Sequence, residues 1–310
     1  MENKKKILID MDIGDDIDDA FALYLAMKMD FDIIGITTVF RNTYERTQIT
    51  KKLLSDYGNG YESVPVYAGY GITYSNPSTD FPHLCQYSEE IEKYSPDSTD
   101  PEDAIDFIID SCKKYGKDLT VIAIGPFTNI AKVIEKDKDA LLLADKVAIM
   151  GGAFFRQYAD WNVMCDPEAA KIMFSSLKNL ECMGADVTHL LSIGKENSDL
   201  ILSYSGEDKA VKYISDLYSY WCDTNKGGIA MLHDPLVIYY ALHPEVCKME
   251  KGHVIVFTEG FARGLTFNVD AYRKAYMNDA FKGYDTSSKV LVASGVEREY
   301  FINYFMEIFK

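Results

Sequence analysis

Short β-rich apolar runs alternate with helix-patterned segments along the whole chain, which predicts an α/β protein: one domain over residues 1–310 with a central, mostly parallel sheet flanked by helices. Two further observations point the same way. A hydrophobic content of 47% over 310 residues suffices for a sizeable buried core. The densest charge cluster, six aspartates within residues 10–19, lies where a strand gives way to a helix, and open parallel sheets hold their ligands at the carboxyl ends of their strands.

In chain order, the predicted strands are residues 7–12, 33–39, 64–67, 119–124, 146–150, 180–183, 253–257 and 289–293. Most segments between them read as helices. Ala20, Leu23, Tyr24 and Met27 recur at i, i+3, i+4 and i+7, and Ile105, Ile108, Ile109 and Cys112 repeat that stripe. Residues 69–99, with Pro77, Pro82 and Pro96, read as a long irregular connection, and loops of that length inside a compact domain are often functional. No repeat, low-complexity stretch or clear linker divides the chain.

A formal net charge of −16 repels phosphate backbones and anionic membrane surfaces, and no run of 18 apolar residues exists to span a bilayer. Nucleic acid and membrane partners are therefore not expected. The basic start, Met1 to Lys6, is followed by only three apolar residues before Asp10, too few for a signal-peptide core. Cys85, Cys112, Cys165, Cys182, Cys222 and Cys247 are scattered with no C-x-x-C or metal-finger spacing, so the expected location is a reducing cytoplasm.

The aspartate run carries the chemistry. Two like unit charges about 4 Å apart repel by about 4 kcal/mol at an effective dielectric near 20, so converging carboxylates need a cation or bound protons. Asp10 and Asp12 share one face of the first strand, while Asp18 and Asp19 fall at a helix start whose free N–H groups favour anions. A solvated acidic turn is the plain alternative. An EF-hand loop starting at Asp10 is excluded, because its sixth and twelfth positions hold Asp15 and Phe21 instead of Gly and Glu. Phosphatases of the haloacid-dehalogenase type also open with Asp-x-Asp after a strand, but Thr or Val usually follows, where this chain has Ile13-Gly14-Asp15.

Further polar motifs close strands or open helices. Ile124-Gly125-Pro126-Phe127-Thr128-Asn129 reads as a turn into a helix. Met150-Gly151-Gly152 precedes Trp161-Asn162 and then Asp166-Pro167-Glu168, whose Asp166 reads as a helix N-cap with proline at the first helical position. His233-Asp234-Pro235 admits the same reading, with His233 an ordinary partly buried histidine.

Taken in this order, together with Gly35-Ile36-Thr37-Thr38-Val39, Val64-Pro65-Val66-Tyr67-Ala68-Gly69, Asp186-Val187-Thr188-His189 and Arg263-Gly264-Leu265-Thr266, the motifs resemble the nucleoside hydrolase family, the inosine-uridine-preferring N-ribohydrolases. The resemblance implies a Rossmann-like core, a nucleoside substrate, a role in purine or pyrimidine salvage and a homodimer or homotetramer. It also implies a Ca²⁺ ion held by Asp12, Asp19, Asp234 and the carbonyl of Ile124, with waters and ribose hydroxyls. Hard oxygen ligands suit that ion. By the same resemblance, Asp12 takes a proton from a metal-bound water that attacks the anomeric carbon, Asp18 and Asn162 bind the ribose hydroxyls, and Asp10 and Asp16 support the site. His233 protonates the departing base, with Tyr158 and Tyr220 as the next candidates.

This chain departs from the family pattern in ways that bear on the sugar. Where the family commonly reads Asp-x-Asp-Pro-Gly-x-Asp-Asp, Ile13 replaces proline and two extra residues, bringing in Asp15 and Asp16, lengthen the loop. Arg41-Asn42 stands where Gly-Asn is usual, with Asn42 expected to bind substrate. Asp160, placed at the ribose 5′ side, is one methylene shorter than the glutamate of many members. Two alternatives follow: a hydrolase of another N-ribosyl compound, or a homologue that binds metal and ribose without turnover.

Overall fold

The computed structural model describes residues 4–226, 228–272 and 290–309, so residue 289 of the last predicted strand lies outside the described residues. Eight strands form one sheet: β1 Lys6–Met11, β2 Asp32–Thr38, β3 Val66–Ala68, β4 Leu119–Ala123, β5 Lys146–Met150, β6 Leu180–Met183, β7 Cys247–Gly252 and β10 Val290–Val296, in the order β3-β2-β1-β4-β5-β6-β10-β7. All neighbours are parallel except β10 and β7. The remaining strands, β8 Val254–Val256 and β9 Thr266–Asn268, pair with each other as a separate antiparallel ribbon.

The expected class therefore holds, with two corrections. The apolar run at 253–257 does not join the main sheet; it becomes β8 of the ribbon. Its place at the sheet edge goes to β7, whose sequence CKMEKG carries exposed charges on an edge strand, a pattern with little apolar alternation to betray it. The stripe of Ala20, Leu23, Tyr24 and Met27 is buried, but so are Phe21, Ala22, Leu25 and Ala26 on the other faces of helix Asp18–Lys28. Phe21 packs edge-on against Tyr218, Phe305 and Phe309, so this helix is enclosed by helices Lys209–Thr224 and Arg298–Glu307 instead of facing solvent. Ile105, Ile108, Ile109 and Cys112 fill the second apolar cluster on the other side of the sheet.

Strand order reverses at β1, between β2 and β4 on its two sides, and the crevice beyond the carboxyl ends of β1 and β4 is where such sheets bind ligands. Asp12 directly follows β1 and Ile124 directly follows β4. Gly125 keeps the two ends close: a Cβ there would lie 2.7 Å from Val39 and 3.0 Å from the Asp12 carboxylate. Among the described residues no helix is long and apolar enough to cross a membrane, and all six cysteines are free thiols.

Candidate active site

At this switch point lies a cavity of about 460 Å³, within the ~300–1,000 Å³ typical of small-molecule sites. Its acidic floor is built from two helix starts. Asp18 and Asp19 open helix Asp18–Lys28, Asp234 sits in the first turn of helix His233–Leu242, and one carboxylate oxygen of each lies within 4.8 Å of the others. All three are buried. Their N-terminal positions favour anions, yet burial first, and then repulsion from neighbouring aspartates that include Asp12 and Asp16, push all three carboxyls well above the usual range. A divalent cation would reverse that balance, and an all-oxygen donor set suits Ca²⁺ chemistry, so the residues present fit such an ion.

The grouping differs from the expected one in one respect. Asp18, expected to bind sugar hydroxyls, belongs to the three-carboxylate cluster, whereas Asp12 does not. Instead, the Asp12 backbone N–H donates to Asp19 Oδ1 at 3.1 Å, which fixes Asp19 within the cluster, and the Asp12 side chain lines the cavity beside it. Burial is the main cause that pushes the Asp12 carboxyl up to about 7, with the Arg46 guanidinium opposing it. Ile124 lines the cavity as expected, but its carbonyl already accepts from Asn162 Nδ2 at 2.8 Å, and the same amide reaches the Met150 carbonyl at 3.1 Å. Asn162 thus spends its donor on two strand ends and keeps its amide oxygen for a ligand, while Ile124 retains one carbonyl lone pair.

Arg46, fully buried, fastens the aspartate loop. It donates to the carbonyls of Phe40, Asp12 and Ile13 and pairs with Asp15 at 2.8 Å. Asp16 also lines the cavity, as an exposed rim residue whose Oδ1 accepts from the Ile17 N–H at 2.6 Å. Asp10 turns away into the core, where Oδ1 accepts from Thr37 at 2.6 Å and Asn129 at 2.7 Å while Oδ2 has no partner, and burial raises its carboxyl to about 7. That is a bracing position. It explains the Gly125–Asn129 motif, whose Thr128 likewise donates to the N-cap Asp166 at 2.6 Å. The irregular connection 69–99 closes over the loop: Gln86 donates to the Gly14 and Asp16 carbonyls, and Cys85 Sγ contacts the Asp15 carbonyl at 3.0 Å.

A second wall is aromatic. His233 Nδ1 pairs with Thr188 Oγ1 at 2.7 Å, its ring lies edge-on to His189 at 5.4 Å, and His189 lies edge-on to Tyr158 at 4.8 Å. Arg156 donates to His189 Nδ1 and to the Ala185 carbonyl. Burial, with the nearby His189, lowers the His233 pKa to about 4, so the imidazole is neutral at pH 7 in this cavity. The sequence suggested an imidazole poised near neutrality; desolvation overrides that. Tyr158 lines the cavity and Tyr220 does not.

Of two further residues expected to bind the sugar, Asn42 lies off the cavity and Asp160 lines it while capping a helix. Asn42 is absent from the cavity lining: its Oδ1 accepts from the Glu45 N–H at 3.3 Å and caps helix Thr43–Tyr57. Asp160 lines the cavity, but its carboxylate caps helix Trp161–Cys165, accepting from the Val163 N–H at 3.3 Å. Burial still raises it to about 6. Beyond Arg41, whose position was expected to shape the pocket, sequence reasoning gave no role to Trp161, His189 or Trp221, all on the cavity wall. Arg41 had a visible signal, an arginine where glycine is usual. Trp221, near the end of helix Lys209–Thr224, had none.

Sheet order and an acid-lined switch-point cavity define a small-molecule enzyme of the doubly wound α/β class. The chain belongs to the nucleoside hydrolase family, since the model for inosine-uridine preferring nucleoside hydrolases matches residues 7–303. It is 29% identical over 314 residues to uridine nucleosidase 1 of Arabidopsis thaliana, covering 97% of this chain and 91% of the relative. A purine-preferring ribonucleoside hydrolase from Gardnerella vaginalis superposes with a TM-score of 0.76 at 26% identity over 98% of each chain. A plant nucleoside hydrolase shares the fold with a TM-score of 0.81 at 24% identity over 99% of each chain. The chain is accordingly a nucleoside hydrolase, an enzyme that cleaves N-glycosyl bonds of ribonucleosides.

Proposed function

We propose that the cavity hydrolyses ribonucleosides to free base and ribose in a Ca²⁺-dependent reaction, with Asp18, Asp19 and Asp234 holding the ion and Asp12 and the Ile124 carbonyl beside it. The convergence of three buried carboxylates on one point carries this reading. When bound, Ca²⁺ would supply Lewis-acid charge that polarises a water and orients the ribose 2′ and 3′ hydroxyls. Cleavage builds positive charge on the sugar and negative charge on the base, and the two walls answer these separately. Asp12, held by Arg46 through its carbonyl, accepts the proton of the attacking water. The free amide oxygen of Asn162 accepts a sugar hydroxyl. His233 starts neutral; as negative charge grows on the base its proton affinity rises, so it takes a proton from solvent water and passes it to the base, returning to the neutral imidazole.

The names of the relatives divide between uridine and purines, so the test is a panel. Purified protein is incubated with uridine, cytidine, inosine, adenosine and nicotinamide riboside, with chelator and after Ca²⁺ is restored, and free base is followed by chromatography. Base release that vanishes with chelator and returns with Ca²⁺ supports the reading. Full release in chelator contradicts the metal dependence. Release from nicotinamide riboside alone points to the other N-ribosyl substrate class.

A further inference from the structure

Arg41 is the arginine on a cavity wall otherwise crowded with aspartates, and its backbone is unusual. Phe40 and Arg41 are consecutive non-glycine residues in the left-handed region, at φ 71° and 58°. Such conformations persist only where surrounding structure imposes them, and they cluster at functional sites. Here the imposition is visible. Phe40 N–H donates to the Tyr70 carbonyl at 2.9 Å, Arg41 N–H donates to the Gly71 carbonyl at 2.8 Å, and Arg46 Nε donates to the Phe40 carbonyl at 2.8 Å. A Cβ on Gly71 would lie 2.2 Å from the Arg41 carbonyl oxygen, so the two chains meet at backbone distance.

The side chain is held but not consumed. Its guanidinium stacks over the Phe40 ring at 4.8 Å, and Phe40 lies edge-on to Trp161 at 6.5 Å. Among the described residues it forms no ion pair or hydrogen bond. On the same cavity wall, Asp160 is engaged as the cap of helix Trp161–Cys165, its carboxylate accepting from the Val163 N–H at 3.3 Å. Arg41 therefore brings unspent donors to this wall, while Asp160 is tied to its helix.

We propose that Arg41 recognises the 5′ oxygen of the substrate by donating to it, so that the sugar's 5′ end is read as a hydrogen-bond acceptor. The inference rests on the hydrolase reading, which sets the 2′,3′-diol on the Asp18–Asp19–Asp234 floor and the base against His233, His189 and Tyr158. On a furanose, C1′ and C4′ flank the ring oxygen, so the 5′ carbon departs on the side away from the base. We place that carbon against Arg41 and Trp161, which line the cavity with Phe40 packed against both. Trp161 is 51% exposed, so this side opens to solvent and has room for a substituent. The chemical class admitted is a ribonucleoside whose 5′ oxygen carries a hydroxyl, an ether or an ester; a site built around a carboxylate acceptor would demand the hydroxyl.

The competing role for Arg41 is to offset the aspartates electrostatically, which would affect every substrate alike. The experiment compares kcat/KM for uridine, 5′-O-methyluridine and 5′-deoxyuridine, or the three inosine counterparts if inosine is turned over faster. Loss of a charge-assisted hydrogen bond should lower the 5′-deoxy substrate by about ten- to a hundredfold, while the 5′-O-methyl substrate stays within about threefold of the parent. Arg41→Met should lower the two 5′-oxygen substrates to the level of the 5′-deoxy one and leave that one unchanged. Arg41→Gly removes the donor while relieving the left-handed backbone, so the same collapse in a variant with a cooperative melt separates recognition from folding. A fall of the 5′-O-methyl substrate together with the 5′-deoxy one would show that an acceptor reads the hydroxyl and overturn the proposal. So would an equal loss on all three substrates in Arg41→Met. Brisk hydrolysis with a flat pattern removes only the Arg41 assignment, whereas no base release from any parent nucleoside by the unaltered protein overturns the hydrolase reading with it.

Discussion

The acidic floor of the cavity comes from two helix starts and a strand end that are buried, cross-braced and close in sequence to strong motifs. The aromatic wall comes from His189, Tyr158 and His233, on separate segments, and Tyr158 is 40% exposed. Aspartates packed at this density need scaffolding, and Arg46, Thr37 and Asn129 provide it. The aromatic wall carries less charge and less bracing, so its residues can change without unsettling the floor. The proposed function puts chemistry in the floor and base selection in the wall, and on that proposal the two should respond differently to substitution.

The largest effect is expected on the floor. Asp19→Ala should cut turnover by about 10³-fold or more, the scale of several kcal/mol of lost transition-state stabilisation, and should weaken Ca²⁺ binding measured by calorimetry. Parent-like Ca²⁺ affinity in this variant removes Asp19 from the ligand set. Asp12→Asn should lower kcat by about 10²-fold or more through loss of the proton acceptor, with a smaller change in Ca²⁺ affinity. Stopped assays at saturating Ca²⁺ separate the two roles, and turnover close to the parent's discards Asp12 as the base.

The wall should discriminate between leaving groups. His233→Ala should slow hydrolysis of inosine or uridine by about 10²-fold, yet spare 4-nitrophenyl riboside, whose phenolate leaves without a proton. Equal losses on both would place His233 in the floor's support, through its neighbour Asp234.

Stability should contrast the two regions through pH. Asp10 and Asp12 have folded pKa values near 7, above the ordinary 3.8, so the cation-free protein holds more protons than its unfolded chain between those values. Their contribution is fully present below about pH 4 and is lost as pH rises through 7. His233, lowered from 6.5 to about 4, works in the opposite sense between those values, but as a single group. The Tm of chelated protein should therefore fall from pH 5 to 8, while the Tm gain on adding Ca²⁺ grows. A Ca²⁺ gain that is flat with pH would show that the floor is not where the ion binds. The smallest effect belongs to Asn42: Asn42→Ala should cost about 1 kcal/mol of stability through loss of a helix cap and leave KM unchanged.

The same contrast explains what the sequence disclosed. Strands β1, β2, β4, β5 and β6 were legible because central parallel strands are continuous apolar runs, and the floor was legible because its aspartates sit beside them. The edge strand β7 was not, since its charged residues face solvent, and residues 253–257 looked like a sheet strand because a ribbon strand has the same local pattern. Asn42 and Asp160 both turn out to cap helices, a second demand that the sequence leaves open. Both residue types are also preferred helix caps, and only the fold shows which demand their side chains meet. That Asp18 groups with Asp19 and Asp234 while Asp12 meets Asp19 through its backbone N–H is a matter of three-dimensional placement that no spacing rule reveals.

The central claim, that one cation on the acidic floor makes the enzyme active, is tested most directly by titrating chelator-stripped protein with Ca²⁺ while base release from its best nucleoside is followed in the same samples. The expected result is one bound ion per chain, with activity rising in step with occupancy and both lost in Asp19→Ala. Full activity before any Ca²⁺ is added, or Ca²⁺ binding that survives Asp19→Ala unchanged, would contradict it.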